Sequence, residues 1–258
     1  MGACRLCAHF AMIDCMNCPL KMIMSTIAHK LQAVDASIRA AASACGRARG
    51  EVQLLAVSKT FPPDAVLEAI AAGQRAFGEN YLQEALDKMA SVSGALPGRE
   101  IAWHFIGPIQ SNKTRPIATG FDWVHTVDRF KIAQRLSEQR PADAAPLNIC
   151  LQVNISGEAS KSGVTPAELP ELARLVAQLP RLRLRGLMAI PEPETDQMRQ
   201  RAAFAQLRTL FERLRSDGLA LDTLSMGMSA DLEAAIAEGA TIVRVGSAIF
   251  GARTYQPQ

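Results

Sequence analysis

VQLLAVSKT, residues 52–60, decides how the chain folds: an apolar run the length of one strand, broken at once by serine, lysine and threonine. No polar residue alternates with Leu54, Leu55, Ala56 and Val57, so both faces of this strand are expected to be buried, as in a parallel sheet covered by helices. Strand-like runs recur at QRAFGE (74–79), IAWHFIG (101–107), FDWVHTV (121–127), LNICLQVN (147–154), LRLRGLMAI (182–190), LDTLSMG (221–227) and TIVRVG (241–246). Helical stripes lie between them. Leu169, Leu172, Leu175, Val176 and Leu179 form one, entered by Thr165-Pro166 with Glu168 placed for a capping box, and Phe204, Leu207, Leu210, Phe211 and Leu214 form another. Ahead of the first strand, Ile27, Leu31, Val34, Ile38 and Ala42 predict an amphipathic helix ending near Gly46. Strand and helix alternating eight times within about 200 residues predict an α/β fold, a single-domain (β/α)8 TIM barrel with an extra N-terminal helix; an open doubly wound sheet is the alternative.

The totals agree with one large soluble domain. The chain has 258 residues, 48% hydrophobic and 21% charged, enough to bury a substantial core. Its net charge of +3 is spread without a basic block, which argues against nucleic acid, and no apolar run approaches the roughly 18 residues of a membrane span. Residues 1–23 read as a cysteine-rich extension, disordered or an upstream start, with Met24 opening the barrel of residues 24–258. Cys4, Cys7, Cys15 and Cys18 form two C-x-x-C pairs, but the gap between the pairs is shorter than in the usual zinc knuckle, and no metal is assigned. Cys45 and Cys150 make no disulfide framework, which fits a cytoplasmic protein.

In a parallel barrel the chemistry sits where strands finish. The first strand ends in Ser58-Lys59-Thr60, the second in Gly78-Glu79-Asn80, the seventh in Ser225-Met226-Gly227 and the eighth in Arg244-Val245-Gly246-Ser247. An ammonium following four apolar residues must either reach solvent or lose its proton, and burial beside a fixed cation such as Arg244 favours the neutral, nucleophilic amine. The bland alternative is a lysine snorkelling from a strand end. After the last two strands, the Ser225 hydroxyl and the Gly246 and Ser247 amides suit a phosphate, although each is also an ordinary turn or cap residue, and Ser229 is the expected N-cap of the helix that follows. Closure of the barrel brings the eighth strand beside the first. An aldehyde-reactive amine then stands next to an anion cradle, a combination that suits pyridoxal 5'-phosphate. Arg244 shares a strand face with Gly246 and is placed to meet the pyridine nitrogen, with a salt bridge at the barrel mouth as its alternative.

LLAVSKT (54–60), GENYLQE (78–84), WHFIGPIQSNK (103–113), VNISGEASKSG (153–163), GLMAIP (186–191), LSMGMSADLEAAI (224–236) and VRVGSAIFGAR (243–253), in that order, resemble the pyridoxal phosphate homeostasis family, alanine racemase-like proteins of fold type III. The resemblance runs from Ser25 to Arg253; Pro108, Ile109 and Ser247 are mild departures from it. It implies that Lys59 is the Schiff-base lysine, Asn80 a side-chain partner near the cofactor, Ser225, Gly246 and Ser247 the phosphate binders, and Arg244 the partner of the pyridine nitrogen. Asn80 also reads as a helix cap completed by Gln83. His104 and His125 read as barrel-interior histidines, and Lys161 as a loop lysine or a transient cofactor acceptor.

The resemblance implies a carrier that holds pyridoxal phosphate, limits its free concentration and hands it to apo-enzymes, rather than an enzyme. The alternative is a racemase-like amino-acid enzyme, which needs a second acid-base group across from Lys59. The racemases take theirs from a partner subunit's tyrosine, whereas this chain has only Tyr81 and Tyr255 and no β-domain, which also points to a monomer. A lysine-dependent sugar-phosphate aldolase or isomerase is a third reading, weakened by the want of an evident carboxylate base.

Overall fold

The computed structural model describes residues 26–157 and 162–252. The paired cysteines of the N-terminal segment, Met24, Lys161 and Tyr255 lie outside the described residues. α1 (Thr26–Ala44) precedes β1 (Gln53–Val57), and the chain then alternates through α2 (Pro63–Ala71), β2 (Ala76–Glu79), α3 (Leu82–Ala95), β3 (Ala102–Phe105), α4 (Thr114–Gly120), β4 (Trp123–Val127), α5 (Phe130–Gln139) and β5 (Leu147–Gln152). It continues through α6 (Leu169–Ala177), β6 (Leu182–Met188), α7 (Gln197–Ser216), β7 (Thr223–Ser225), α8 (Leu232–Ala237), β8 (Ile242–Val245) and α9 (Ser247–Phe250). Neighbouring strands pair in parallel and the sheet closes, β8 against β1, with Leu55 opposite Arg244 and Ala56 opposite Val245. The open-sheet alternative is thereby excluded.

Each strand is shorter than its apolar run, because the run continues into the turn that carries it off the barrel; β7 keeps only Thr223–Ser225 of seven residues expected. Strand alternation sorts side chains between two regions. Leu54 and Ala56 pack with Val66, Ile70 and Val243 in the core between sheet and helices, whereas Leu55, Ala76 and Ile242 form a separate cluster with Ala102, Ile106 and Trp123. At the strand N-termini Arg185 lies 4.7 Å over the Trp123 ring and makes a forked ion pair with Asp222 at 2.7–3.0 Å.

Local cap assignments fare differently. The Thr165–Glu168 box is present, with the Glu168 N–H donating to Thr165 Oγ1 at 3.3 Å and the Thr165 hydroxyl to Glu168 Oε2 at 2.6 Å. Ser229 does not cap α8: the cap position falls on Asp231, whose carboxylate accepts the Met228 N–H. Asn80 and Gln83 do not form a box either, since the cap position of α3 is Tyr81 and Gln83 donates to Asp87.

Candidate functional site

The ends of β8, β1 and β2 are adjacent around the barrel mouth, and they carry Gly246-Ser247, Lys59 and Asn80. On β1, Leu55 points inward and Val57 shares its side by alternation, while the Ser58 hydroxyl reaches Glu79 on the helix side and Lys59 follows in the turn two residues past the strand end. Gly246 allows a close approach: a Cβ there would lie a tight 3.1 Å from the Val57 carbonyl oxygen and 3.3 Å from the Val57 Cβ. The turn after β8 therefore rests against the strand that leads into Lys59. Gly246 is the cap position of α9, and Ser247, exposed, begins it.

Beneath this mouth lies Arg244, only 5% exposed. Its Nη1 donates to the Ser225 carbonyl at 2.6 Å and to the Ser225 hydroxyl at 2.9 Å, and its Nη2 to the Ala189 carbonyl at 3.0 Å. These bonds use three of the five N–H groups of a guanidinium, leaving Nε–H and one Nη2 hydrogen for a ligand. Among the described residues, no carboxylate is a hydrogen-bond partner of Arg244. Burial lowers its pKa to about 10, so it remains a cation at neutral pH.

Ser225, expected to meet phosphate, is fully buried and already engaged. Its hydroxyl lies 2.8 Å from His125 Nδ1, and His125 Nε2 lies 2.9 Å from His104 Nδ1. Since Arg244 can only donate, the arrangement with fewest unsatisfied groups has Ser225 donating to His125 and His125 to His104. The chain ends at His104 Nε2, which is buried without a partner, the ring being stacked on Trp123 at 5.3 Å. Burial pushes His104 down to about 3 and, helped by His104 and Arg244, drives His125 well below the usual histidine range. Both rings are neutral, as expected of barrel-interior histidines.

Behind the wall, between sheet and α3, sits a second polar group that sequence reasoning missed. Lys88, 2% exposed, donates to the Ser58 carbonyl at 2.7 Å, to Glu79 Oε1 at 2.7 Å and to Glu84 Oε1 at 2.9 Å. The Ser58 hydroxyl donates to the same Glu79 oxygen at 2.6 Å, and burial raises the Glu79 pKa against the pull of Lys88. One signal was available: Lys88 lies three residues after Ala85 and four before Val92, on the apolar stripe of α3, where a lysine must find a buried partner.

Asn80 places its Oδ1 in a buried position with no protein partner. A buried amide oxygen without a donor is costly unless a ligand or water supplies one. Gly107 permits its placement, because a Cβ there would lie 2.1 Å from the Asn80 carbonyl oxygen. A cavity of about 460 Å³ opens nearby, lined by Ser37, Gln197, Ser229, Asp231, Glu233 and Ala248 among others. It carries two acids and no base, and neither Lys59, Asn80 nor Arg244 lines it.

This closed parallel barrel, with Lys59 just past its first strand and a Gly-Ser turn beside it, matches over residues 30–254 the family model described as alanine racemase, N-terminal domain. The pyridoxal phosphate homeostasis protein of Pseudomonas aeruginosa is 67% identical over 232 residues, 90% of this chain and 98% of that protein. Its counterpart in Escherichia coli K12 is 57% identical, over 90% of this chain and 99% of that one. PipY of Synechococcus elongatus, solved with PLP bound, is 40% identical with a TM-score of 0.76, covering 87% of this chain and all of that one. The chain belongs to the pyridoxal phosphate homeostasis protein family.

Proposed function

We propose that the chain binds pyridoxal 5'-phosphate on Lys59 and serves its intracellular homeostasis, holding the cofactor and releasing it to apo-enzymes. The observation that carries this reading is Arg244: a buried cation with no carboxylate among its hydrogen-bond partners in the described residues and two N–H groups unused there, on the strand next to the one that leads into Lys59. Lys59 supplies the amine that takes the aldehyde. The Gly246 and Ser247 amides, at the start of α9, suit the phosphate, and the buried Asn80 Oδ1 suits a polar substituent of the ring. Ser225 enters through Arg244: by accepting one guanidinium hydrogen it fixes the plane in which the remaining donors point. When bound, pyridoxal phosphate supplies an electron-withdrawing ring conjugated to the amine it holds. Arg244 would offer the ring nitrogen a hydrogen bond without giving up its proton, which would keep that ring a weak electron sink.

The names of the relatives, homeostasis proteins rather than enzymes, support a carrier over a catalyst. The described residues agree: His104 and His125 are neutral and tied to each other, and Tyr81 is 54% exposed. The two described cysteines are unpaired, which supports the cytoplasm, and no described helix is long and apolar enough to cross a membrane. The chain acts in this reading as a monomer.

The purified protein is expected to be yellow, with the absorbance of a lysine-bound pyridoxal that borohydride bleaches while fixing the label on Lys59. Lys59→Ala is expected to lose both. Turnover of alanine enantiomers at enzyme-like rates would replace the carrier reading with the racemase one, and a colourless protein that borohydride leaves unlabelled would end both.

A further inference from the structure

Immediately after Lys59 the backbone makes a turn that its own residue type resists. Thr60 has φ +69, a left-handed conformation in which a β-branched side chain is strained. Such strain persists only where the surroundings hold it, and here they do. The Thr60 N–H donates to Glu84 Oε1 at 2.7 Å, and the same oxygen receives Lys88 Nζ at 2.9 Å. On the other side of Lys59, the Ser58 carbonyl accepts from Lys88 and the Ser58 hydroxyl donates to Glu79, itself paired with Lys88. Both residues flanking Lys59 are thus tied to one buried ammonium, Ser58 directly and Thr60 through Glu84.

We propose that Glu84 is a positioning residue for Lys59: held by Lys88, its carboxylate keeps the Thr60 turn left-handed and so directs the Lys59 amine into the barrel mouth. The inference rests on the reading that Lys59 takes pyridoxal phosphate. Without the carboxylate, Thr60 relaxes towards negative φ, the peptide between residues 59 and 60 rotates, and the amine leaves its line of approach. Lys88 cannot stand in for Lys59, because its three ammonium hydrogens already meet three oxygens in a buried site. Glycine adopts positive φ without strain, so Thr60→Gly removes the need for the clamp.

The test compares Glu84→Ala, Glu84→Gln, Thr60→Gly and the double variant Glu84→Ala/Thr60→Gly. Each is followed by the rate at which added pyridoxal phosphate becomes fixed to Lys59 under borohydride, and by the melting temperature of the cofactor-free protein. Loss of a charged hydrogen bond predicts attachment slower by roughly tenfold or more in Glu84→Ala. Thr60→Gly alone, and the double variant, are expected within about twofold of the parent. Glu84→Gln, which keeps an acceptor for the Thr60 N–H, falls between. An unchanged rate in Glu84→Ala overturns the proposal, as does a double variant as slow as Glu84→Ala, since Glu84 then acts through general stability. Should Glu84→Ala not fold, Glu84→Gln with and without Thr60→Gly makes the same comparison. A parent protein left unlabelled at Lys59 sinks the cofactor reading, whereas a labelled parent with an indifferent Glu84→Ala sinks only the clamp.

Discussion

Two buried polar groups flank the barrel mouth, and they are built on opposite principles. Behind β1 and β2, Lys88 neutralises Glu79 and Glu84, so that charge is answered by charge. Inside the barrel, Arg244 meets two carbonyls and a hydroxyl, and the chain beyond it runs through two neutral rings. The first group consumes its charge in holding backbone; the second keeps a positive charge available to a ligand. Strand parity separates them, with Ser58 and Glu79 turned to the helices and Arg244 to the barrel interior.

The comparison is broken most severely by leaving one charge without its answer. Lys88→Met strands Glu79 in a buried site and is expected to cost about 3–5 kcal/mol, while Lys88→Met with Glu79→Leu recovers most of it. In thermal melts of a domain this size the single variant should fall by on the order of 10 °C. A double variant no more stable than the single would show that the pair does not act as a pair.

Acid probes the neutral chain. His104 and His125 both have depressed pKa values in the fold, so below the unfolded value near 6.5 the unfolded chain takes up protons that these two rings refuse. Stability is therefore full above that pH and is lost as pH falls towards about 3, the folded value of His104. Near pH 5 the loss from His104 is about 2 kcal/mol, and denaturant titrations of His104→Gln against the parent should show a shallower acid limb. An equally steep limb would mean that the rings do take up protons in the fold.

Ser225→Ala sharpens the comparison most gently. It removes one neutral acceptor from Arg244 and the donor to His125, at an expected cost of about 1–2 kcal/mol. Because the guanidinium keeps its two carbonyls but loses its plane, the absorbance maximum of bound pyridoxal phosphate should move while the label stays on Lys59. A shift in melting temperature with no spectral change would reduce Ser225 to packing.

The legible and illegible parts of the site divide by range. Lys59 and Arg244 were readable because each sits at or just past a strand end, and two-residue alternation fixes the side that Arg244 faces. Ser225 was readable as a strand-end hydroxyl, but its partners lie 100 residues away at His125 and 19 away at Arg244. The Glu84–Lys88 pair reads in sequence as an ordinary pair one helical turn apart; the apolar stripe of α3 hints that Lys88 is buried, and the structure supplies Glu79 across the wall as its partner. Asn80 and Ser229 looked like caps because asparagine and serine favour that position locally, yet the helices begin after Tyr81 and Asp231.

By itself, the order of apolar runs and helical stripes determined eight parallel strands alternating with helices, since each strand had to bury two faces and each helix one, and it placed a lysine just past the first strand and a Gly-Ser turn after the eighth. Closure, which sets those two turns side by side, came only with the pairing of β8 against β1. Tertiary structure alone decided which polar groups pair inside that shell, that Thr60 is held in a strained turn, and that Arg244 keeps donors free. Those outcomes depend on contacts between residues distant in the chain, whose energies no local pattern of residue types encodes.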